Sequence, residues 1–84
     1  MLFLFNPPAQ PIFWMKDMRF DLDFIWIKDG RVAEITPQVK AQPGASDADL
    51  PLYKPARDVD SVLEVNAGWA EQHQIRVGDR VDGI

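Results

Sequence analysis

The segment Phe13–Met18 contains the side chains best suited to bind a ligand, because an aromatic ring, two thioethers and a Lys–Asp pair fall within six positions. In an extended backbone Trp14 and Lys16 share one face. An exposed indole beside an ammonium group is typical of a stacking platform for a sugar or planar ligand, with Lys16 and Asp17 supplying polar contacts at the rim. The alternative interpretation is that Trp14 is a core residue and Lys16 lays its aliphatic stem along it.

Residues 37–58 are predicted to form a long loop, because this segment contains four prolines and shows neither a period of two nor one of 3.6. Loops of this length in compact domains are usually functional lids or disordered segments, and both alternatives stay open. If the loop is a lid, Tyr53 and Arg57 cover the platform at Trp14 and complete the binding surface.

Aspartate pairs spaced i, i+2 are a second possible source of chemistry, since two carboxylates on one face of an extended segment can hold Ca²⁺ or Mg²⁺. None of the pairs belongs to a glycine-containing ligand loop, so we expect solvated turn and edge residues and no metal site. The pairs are Asp21/Asp23, Asp47/Asp49 and Asp58/Asp60.

A small hydrolase is the competing functional class, and it needs two acids at a defined separation, one of them desolvated. Glu34 and Glu64 are the candidate pair because both lie on predicted strands; solvation at a strand edge or pairing with Arg is the ordinary alternative. His73 has no orienting acid and nucleophile near it in sequence, so we expect it on a helix surface. No catalytic residue is predicted, and a binding role is favoured over an enzyme.

Composition limits the remaining classes. The 84 residues form one domain (1–84), and a hydrophobic fraction of 46% with three Trp, one Tyr and five Phe predicts a packed core. A formal charge of −4 disfavours nucleic acid. The absence of cysteine and the single histidine exclude thiolate and multi-histidine sites, so no cofactor is predicted. No apolar run reaches the ~18 residues of a membrane span.

The N-terminal residues Met1–Phe5 form an apolar run that ends at Asn6-Pro7-Pro8, which predicts a buried strand followed by a rigid turn. The run lacks the charged region and cleavage site of a secretory signal. A strand at the start of the sequence predicts either upstream sequence or completion by another chain, and hence a homodimer through the N-terminal strand. Ile12–Met15 is predicted to be a further short strand.

A β-hairpin is predicted around Asp29-Gly30, the preferred two-residue turn, which follows the strong strand signal of Leu22–Lys28. The first arm is apolar on both sides, which is typical of a central strand buried by two layers. The turn predicts the following register: Lys28 opposite Arg31, Ile27 opposite Val32, Trp26 opposite Ala33, Ile25 opposite Glu34, and Phe24 opposite Ile35.

The C-terminal part is predicted to hold a half-buried strand and a short helix. Val59–Val65 alternates, with Val59, Ser61, Leu63 and Val65 expected on one side. Asn66 is the predicted N-cap of a helix over Ala67–His73, in which Trp69 anchors the helix on the sheet and shares a face with His73. Gln74 stands where a left-handed residue usually ends a helix.

A last strand, Arg80–Val81, is predicted after the Gly78-Asp79 turn.

Four motifs follow one another along the chain, and together they resemble the prokaryotic domain of unknown function family 192. They are FWMK at 13–16, LDFI at 22–25 with DGRV at 29–32, VLEVNAGWA at 62–70 and IRVGDRV at 75–81.

The resemblance implies an α+β domain with a curved, mostly antiparallel sheet or small β-barrel, one short helix near the C-terminus, and no settled function. The resemblance implies that the following motif residues have structural roles: Asp29, Gly30, Asn66, Gly68, Trp69, Gly78 and Asp79. Family members often carry a signal peptide or lipoprotein anchor, so the resemblance allows an envelope or a cytoplasmic setting. The family's usual N-terminal strand and helical segment have no counterpart here, so we expect a shortened chain.

The sequence therefore predicts a binding or accessory module for a small-molecule or carbohydrate ligand, with Trp14, Lys16 and Asp17 as its surface. Two alternatives remain: a small hydrolase using strand carboxylates, and a structural protein-interaction domain.

Overall fold

A computed structural model describes residues 1–82. Four strands form one antiparallel sheet in the order β1-β4-β2-β3. The predicted α+β class with a curved antiparallel sheet is confirmed. Because β1 and β3 are the two free edges, the sheet is open and the barrel alternative does not hold. The elements are β1 (Leu2–Ala9), β2 (Leu22–Lys28), β3 (Arg31–Val39), β4 (Val59–Asn66), a 3₁₀ turn (Asp47–Asp49) and α1 (Trp69–Gln72).

Strand β2 is the centre of the fold, and its first six residues are all buried. One face of the sheet, here called the aromatic face, carries Phe24 and Trp26 in a cluster with Met15 and Val62. The opposite face, here called the helix face, carries Ile25, Ile27 and Val32, packed against Ala70 of α1. The predicted central strand buried from both sides is therefore confirmed.

The hairpin keeps its predicted register only next to the turn. Lys28 pairs with Arg31 and Ile27 with Val32, but the register then shifts by one residue. The extra residue is Ala33, which forms a β-bulge, so the predicted pairs beyond it are wrong. The observed pairs are Trp26 with Glu34, Ile25 with Ile35, and Phe24 with Thr36. This shift puts Thr36 within reach of the buried indole, whose Nε1–H donates to Thr36 Oγ1 at 2.9 Å.

Strand β1 differs from the buried strand that was expected. It continues through the two prolines to Ala9, and its side chains alternate. Phe3 and Phe5 pack on the aromatic face, whereas Leu2 and Leu4 are exposed. Proline is tolerated here because β1 is an edge strand. Pairing of this edge with a second chain stays a prediction.

Strand β4 does not keep one alternating face. Leu63 and Val65 pack on the helix face, but Val59 packs with Val62 on the aromatic face, so the expected grouping of Val59 with Leu63 and Val65 is wrong. The pairing of β4 with β1 shifts register between Leu4 and Ala9, next to this point.

Helix α1 is shorter than predicted and begins later. Gly68, with φ of 90°, precedes the first helical residue, while Asn66 ends β4, so the N-cap prediction at Asn66 is wrong. The rings of Trp69 and His73 stack with centroids 4.0 Å apart, which confirms their shared face. Gln74 has the expected positive φ, 55°. No helix in residues 1–82 is long and apolar enough to cross a membrane.

Two other predicted elements are reduced. The Ile12–Met15 strand is a single bridge, in which Phe13 and Tyr53 exchange backbone hydrogen bonds of 2.7 and 2.8 Å. The Arg80–Val81 strand is a bridge between Arg80 and Arg31. Of the predicted loop 37–58, residues 37–39 belong to β3, and the remainder contains the 3₁₀ turn and packs on the aromatic face through Tyr53.

Candidate functional site

A groove of about 260 Å³ opens on the aromatic face beside β1. We call it the aromatic groove. Its lining combines two residues of β1, three consecutive residues of the following segment and one acid of β4. These are Phe3, Phe5, Ile12, Phe13, Trp14 and Glu64.

Phe13 forms the rigid wall of the aromatic groove. Its backbone is fixed by the two hydrogen bonds to Tyr53. Its ring meets Phe3 at 5.2 Å between centroids and 78° between planes, and Phe5 at 6.4 Å and 65°. Such edge-to-face contacts add about 0.5–1.5 kcal/mol per pair to the burial of the rings, so the wall is held in one conformation.

Trp14 stands at the rim of the groove with 42% of its surface exposed, which places it outside the fully buried core. The Lys16 Nζ atom lies 5.2 Å from the centroid of the indole, as expected from their shared face. The same ammonium pairs with Asp47 Oδ2 at 3.1 Å. Lys16 therefore connects the platform to the 37–58 segment.

Glu64 is the only acid in the lining of the aromatic groove. It is half-buried on β4, directly opposite Phe24 of β2. Burial raises the pKa of its carboxyl, and the α-ammonium of Met1 opposes this effect. Within the described residues its carboxylate has no hydrogen bond or ion pair, unlike the carboxylate of Asp23 described below.

The remaining predicted binding residues are distributed around the groove. Tyr53 is half-buried beside Phe13, with its ring 5.9 Å from that of Phe24. Asp17 lies in a separate depression with Arg19 and Gly44. Arg57 is exposed on the 37–58 segment. The structure thus brings Trp14 together with Lys16, and Tyr53 next to the groove wall, but it places Asp17 elsewhere.

Asp23 has a role that sequence reasoning did not find. Its side chain is 1% exposed and accepts three backbone N–H groups. Its Oδ1 accepts from Gln38 at 2.8 Å and Gly68 at 3.2 Å, and its Oδ2 accepts from Ala70 at 3.0 Å. One carboxylate therefore holds the end of β3 and the start of α1 together.

The expectation that the paired aspartates are solvated is wrong for the buried Asp23, whereas Asp21 and Asp60 act as acceptors for backbone N–H groups near the surface. Asp21 accepts the N–H of Ala41 at 2.9 Å and pairs with Lys40, and these contacts lower its pKa, the backbone hydrogen bond most. Asp60 accepts the N–H of Asp29 at 2.8 Å. No group of three or more His, Cys, Asp or Glu side chains in residues 1–82 could hold a metal ion.

The geometry gives little support to a carboxylate pair made of Glu34 and Glu64. Both face the aromatic side, but β2 separates their strands, so their backbones lie about 9.5 Å apart laterally, two interstrand spacings. The space between is occupied by Phe24 and Trp26, both 0% exposed. Glu34 Oε1 also accepts the N–H of Ala56 at 2.9 Å.

His73 is exposed near the end of α1. Its Nδ1 lies 2.8 Å from the carbonyl oxygen of Trp69, whose ring it also stacks on. These contacts fit the expected helix-surface position.

Comparison with known proteins identifies the class of protein. The family described as "Uncharacterized ACR", DUF192, matches residues 1–83, and the chain belongs to this family. The resemblance predicted from the four motifs is therefore confirmed. No curated protein matches the chain significantly.

Two solved structures share the fold. A protein of unknown function from Novosphingobium aromaticivorans is 33% identical with a TM-score of 0.85, over 99% of this chain and 56% of that one. A candidate transcription regulator from Sinorhizobium meliloti is 30% identical with a TM-score of 0.81, over 95% of this chain and 58% of that one. The chain thus spans a little more than half the length of these relatives.

The groove itself could not be read from the sequence. The sequence identifies Trp14 as a candidate binding residue, but it identifies Glu64 only as one member of a candidate hydrolase pair. Their meeting depends on the pairing of β1 with β4, which brings residues about sixty positions apart into register. The alternation of Phe3 and Phe5 in β1 was the one local signal of the groove's lining.

Proposed function

We propose that this domain is a binding module for a small-molecule or carbohydrate ligand, which it holds in the aromatic groove with Trp14 as the platform. The observation that carries this proposal is a partly exposed indole at the rim of an aromatic-lined groove that also contains a carboxylate. Binding sites of this kind combine apolar walls with a few polar groups that orient the ligand. The volume of about 260 Å³ suits a small ligand or a head group.

The pairing of basic side chains supports a small ligand over a nucleic acid, although one solved relative is described as a candidate transcription regulator. Phosphate backbones require a face of free basic groups. Here the net charge is −4, and four of the nine Lys and Arg side chains lie next to carboxylates at 3.1–3.8 Å. They are Lys16 with Asp47, Lys28 with Asp29, Lys40 with Asp21, and Arg80 with Asp82.

The indole N–H signals of the three tryptophans test this proposal, because they report separately on the groove, the core and the helix face in ¹H–¹⁵N spectra. We expect a panel of monosaccharides and planar heterocycles to contain probes that shift the Trp14 signal and leave those of Trp26 and Trp69 in place. Trp14→Ala should weaken binding of such probes at least tenfold, which corresponds to about 1.4 kcal/mol of lost contact.

The matched control is Phe20→Ala, which removes an aromatic ring that is 69% exposed and lies outside the groove. We expect this variant to bind as the wild type does. A panel that leaves the Trp14 signal unchanged, or binding that survives Trp14→Ala, would overturn the proposal.

A further inference from the structure

We propose that the ligand of the aromatic groove carries a methylated or quaternary ammonium group, which lies against the aromatic rings with Glu64 as its counter-ion. This inference rests on the proposed binding function and specifies the chemistry of the ligand.

The first argument is the state of the Glu64 carboxylate. Asp23 and Asp21 accept two or more hydrogen bonds each, and Glu34 accepts one. Glu64 is half-buried among aromatic side chains and has no such partner within residues 1–82. Partial burial costs this carboxylate some of its hydration and raises its pKa, and a cation bound beside it would offset that cost.

The second argument is the arrangement of the rings. Cations bind ring faces within about 6 Å of the centroid, and Trp is the strongest partner. Phe3 and Phe5 meet Phe13 at steep angles, so the rings that line the groove are turned in more than one direction. Trp14 already holds one ammonium group, that of Lys16, at 5.2 Å from its centroid. This surface is therefore suited to positive charge.

The third argument is the surrounding charge. The α-ammonium of Met1, which precedes β1, donates to the backbone carbonyl of Glu64 at 2.6 Å, and its charge acts against the raised pKa of the side chain. Lys16, at the rim, is paired with Asp47. The segment after β1 lines the groove with three uncharged residues, Ile12, Phe13 and Trp14. The carboxylate thus remains available to a ligand cation.

Methylation of the ligand follows from the number of acceptors. A primary ammonium has three N–H donors that point in different directions, whereas the lining side chains offer acceptors on one side only, the two oxygens of the Glu64 carboxylate. A quaternary ammonium has no N–H donors and is bound by ring faces and charge alone. The groove therefore favours the methylated cation over the primary amine.

Choline and 3,3-dimethyl-1-butanol provide a direct test on the full chain, because they share one shape and differ in charge. We expect choline to bind at least tenfold more tightly, with an upfield shift of its N-methyl proton signal caused by the aromatic rings. Glu64→Gln should weaken the binding of choline several-fold and leave that of the alcohol unchanged, so that only the smaller preference due to the aromatic rings remains. The matched control, Glu34→Gln, should keep the preference because Glu34 lies outside the groove.

Equal affinity of the two probes for the wild type, or a preference that is undiminished in Glu64→Gln, would overturn the cation inference and leave the binding function standing. If neither probe moves the Trp14 indole signal while a sugar or heterocycle does, the inference alone fails. If no probe of either set moves that signal, both the inference and the proposed function fail.

Discussion

Asp23 and Glu64 lie on neighbouring strands, one residue out of register, and point to opposite faces of the sheet. Asp23 is buried on the helix face and accepts three backbone N–H groups. Glu64 is half-buried on the aromatic face, and none of the described residues donates to its carboxylate. A carboxylate surrounded by donors stabilises the fold, whereas one beside apolar rings is available to a ligand.

The two faces differ in the same way around these acids. On the helix face, Ala70 of α1 packs on Ile25 and Ile27, and a cavity of about 220 Å³ remains between these strand residues and Trp69. On the aromatic face, the 37–58 segment covers Phe24 through Tyr53 but leaves the aromatic groove open. We therefore expect substitutions on the helix face to change stability and substitutions in the groove to change binding.

The largest expected effect is that of Asp23→Asn. The amide keeps the shape of the side chain but loses its charge and turns an NH₂ group toward a backbone donor. Because buried N–H groups then lose a charged acceptor, we expect a loss of about 3 kcal/mol in the free energy of unfolding. Urea denaturation measures this loss.

Asp21→Asn is the control for that measurement, because Asp21 is a partly exposed acceptor two residues away. We expect its effect to be much smaller. A loss below about 1 kcal/mol for Asp23→Asn would contradict the assignment of Asp23 to the stability of the fold.

A smaller effect is expected at the end of α1. Gln74 has φ of 55°, a conformation that costs a non-glycine residue free energy, so Gln74→Gly should stabilise the domain by roughly 0.5–1 kcal/mol. Chemical denaturation measures the gain. Gln72→Gly, inside α1, should instead destabilise, because glycine disfavours helical backbone. A gain for both variants or for neither would show that the helix end does not determine the effect.

The smallest effects are differences in the pH dependence of stability. Because the folded-state pKa of Glu64 is raised, its contribution to stability is present below the unfolded-state pKa and is lost as the pH rises through the folded-state value. The urea midpoint of Glu64→Gln should therefore increase relative to that of the wild type as the pH rises from about 4 to 7. Parallel profiles of the two proteins would contradict this.

Asp21 should show the opposite sign. Contacts with Ala41 and Lys40 lower its folded-state pKa, so its contribution is present above the unfolded-state pKa and is lost as the pH falls through the folded-state value. Asp21→Asn should be less stable than the wild type near neutral pH, and the difference should shrink below about pH 4. Urea midpoints across this range measure it.

Local signals in the sequence predicted much of the fold. The Asp29-Gly30 turn, the two-sided burial of β2 and the left-handed Gln74 each follow from a few adjacent residues. The bulge at Ala33 was missed because no residue in the hairpin marks it: it brings Thr36, rather than Ile35, opposite Phe24. Periodicity alone could not show such a shift.

The candidate site was predicted only in part for a related reason. Trp14 and Lys16 are neighbours in sequence, so their shared face could be inferred. Glu64 reaches the groove through strand pairing over a long separation, and Asp23 collects donors from residues 38, 68 and 70. Contacts between residues so far apart in sequence depend on the order and register of the strands. The motifs predict the fold class but not that order or register.

The three contacts of Asp23 also bear on how the chain folds. Gln38 is 15 positions from Asp23 and Ala70 is 47 positions away, so the acceptor can be satisfied only after two loops have closed. Until then water must solvate the carboxylate, so the helix face around Asp23 stays hydrated. We therefore expect the end of β3 and helix α1 to form together during folding, rather than independently of each other.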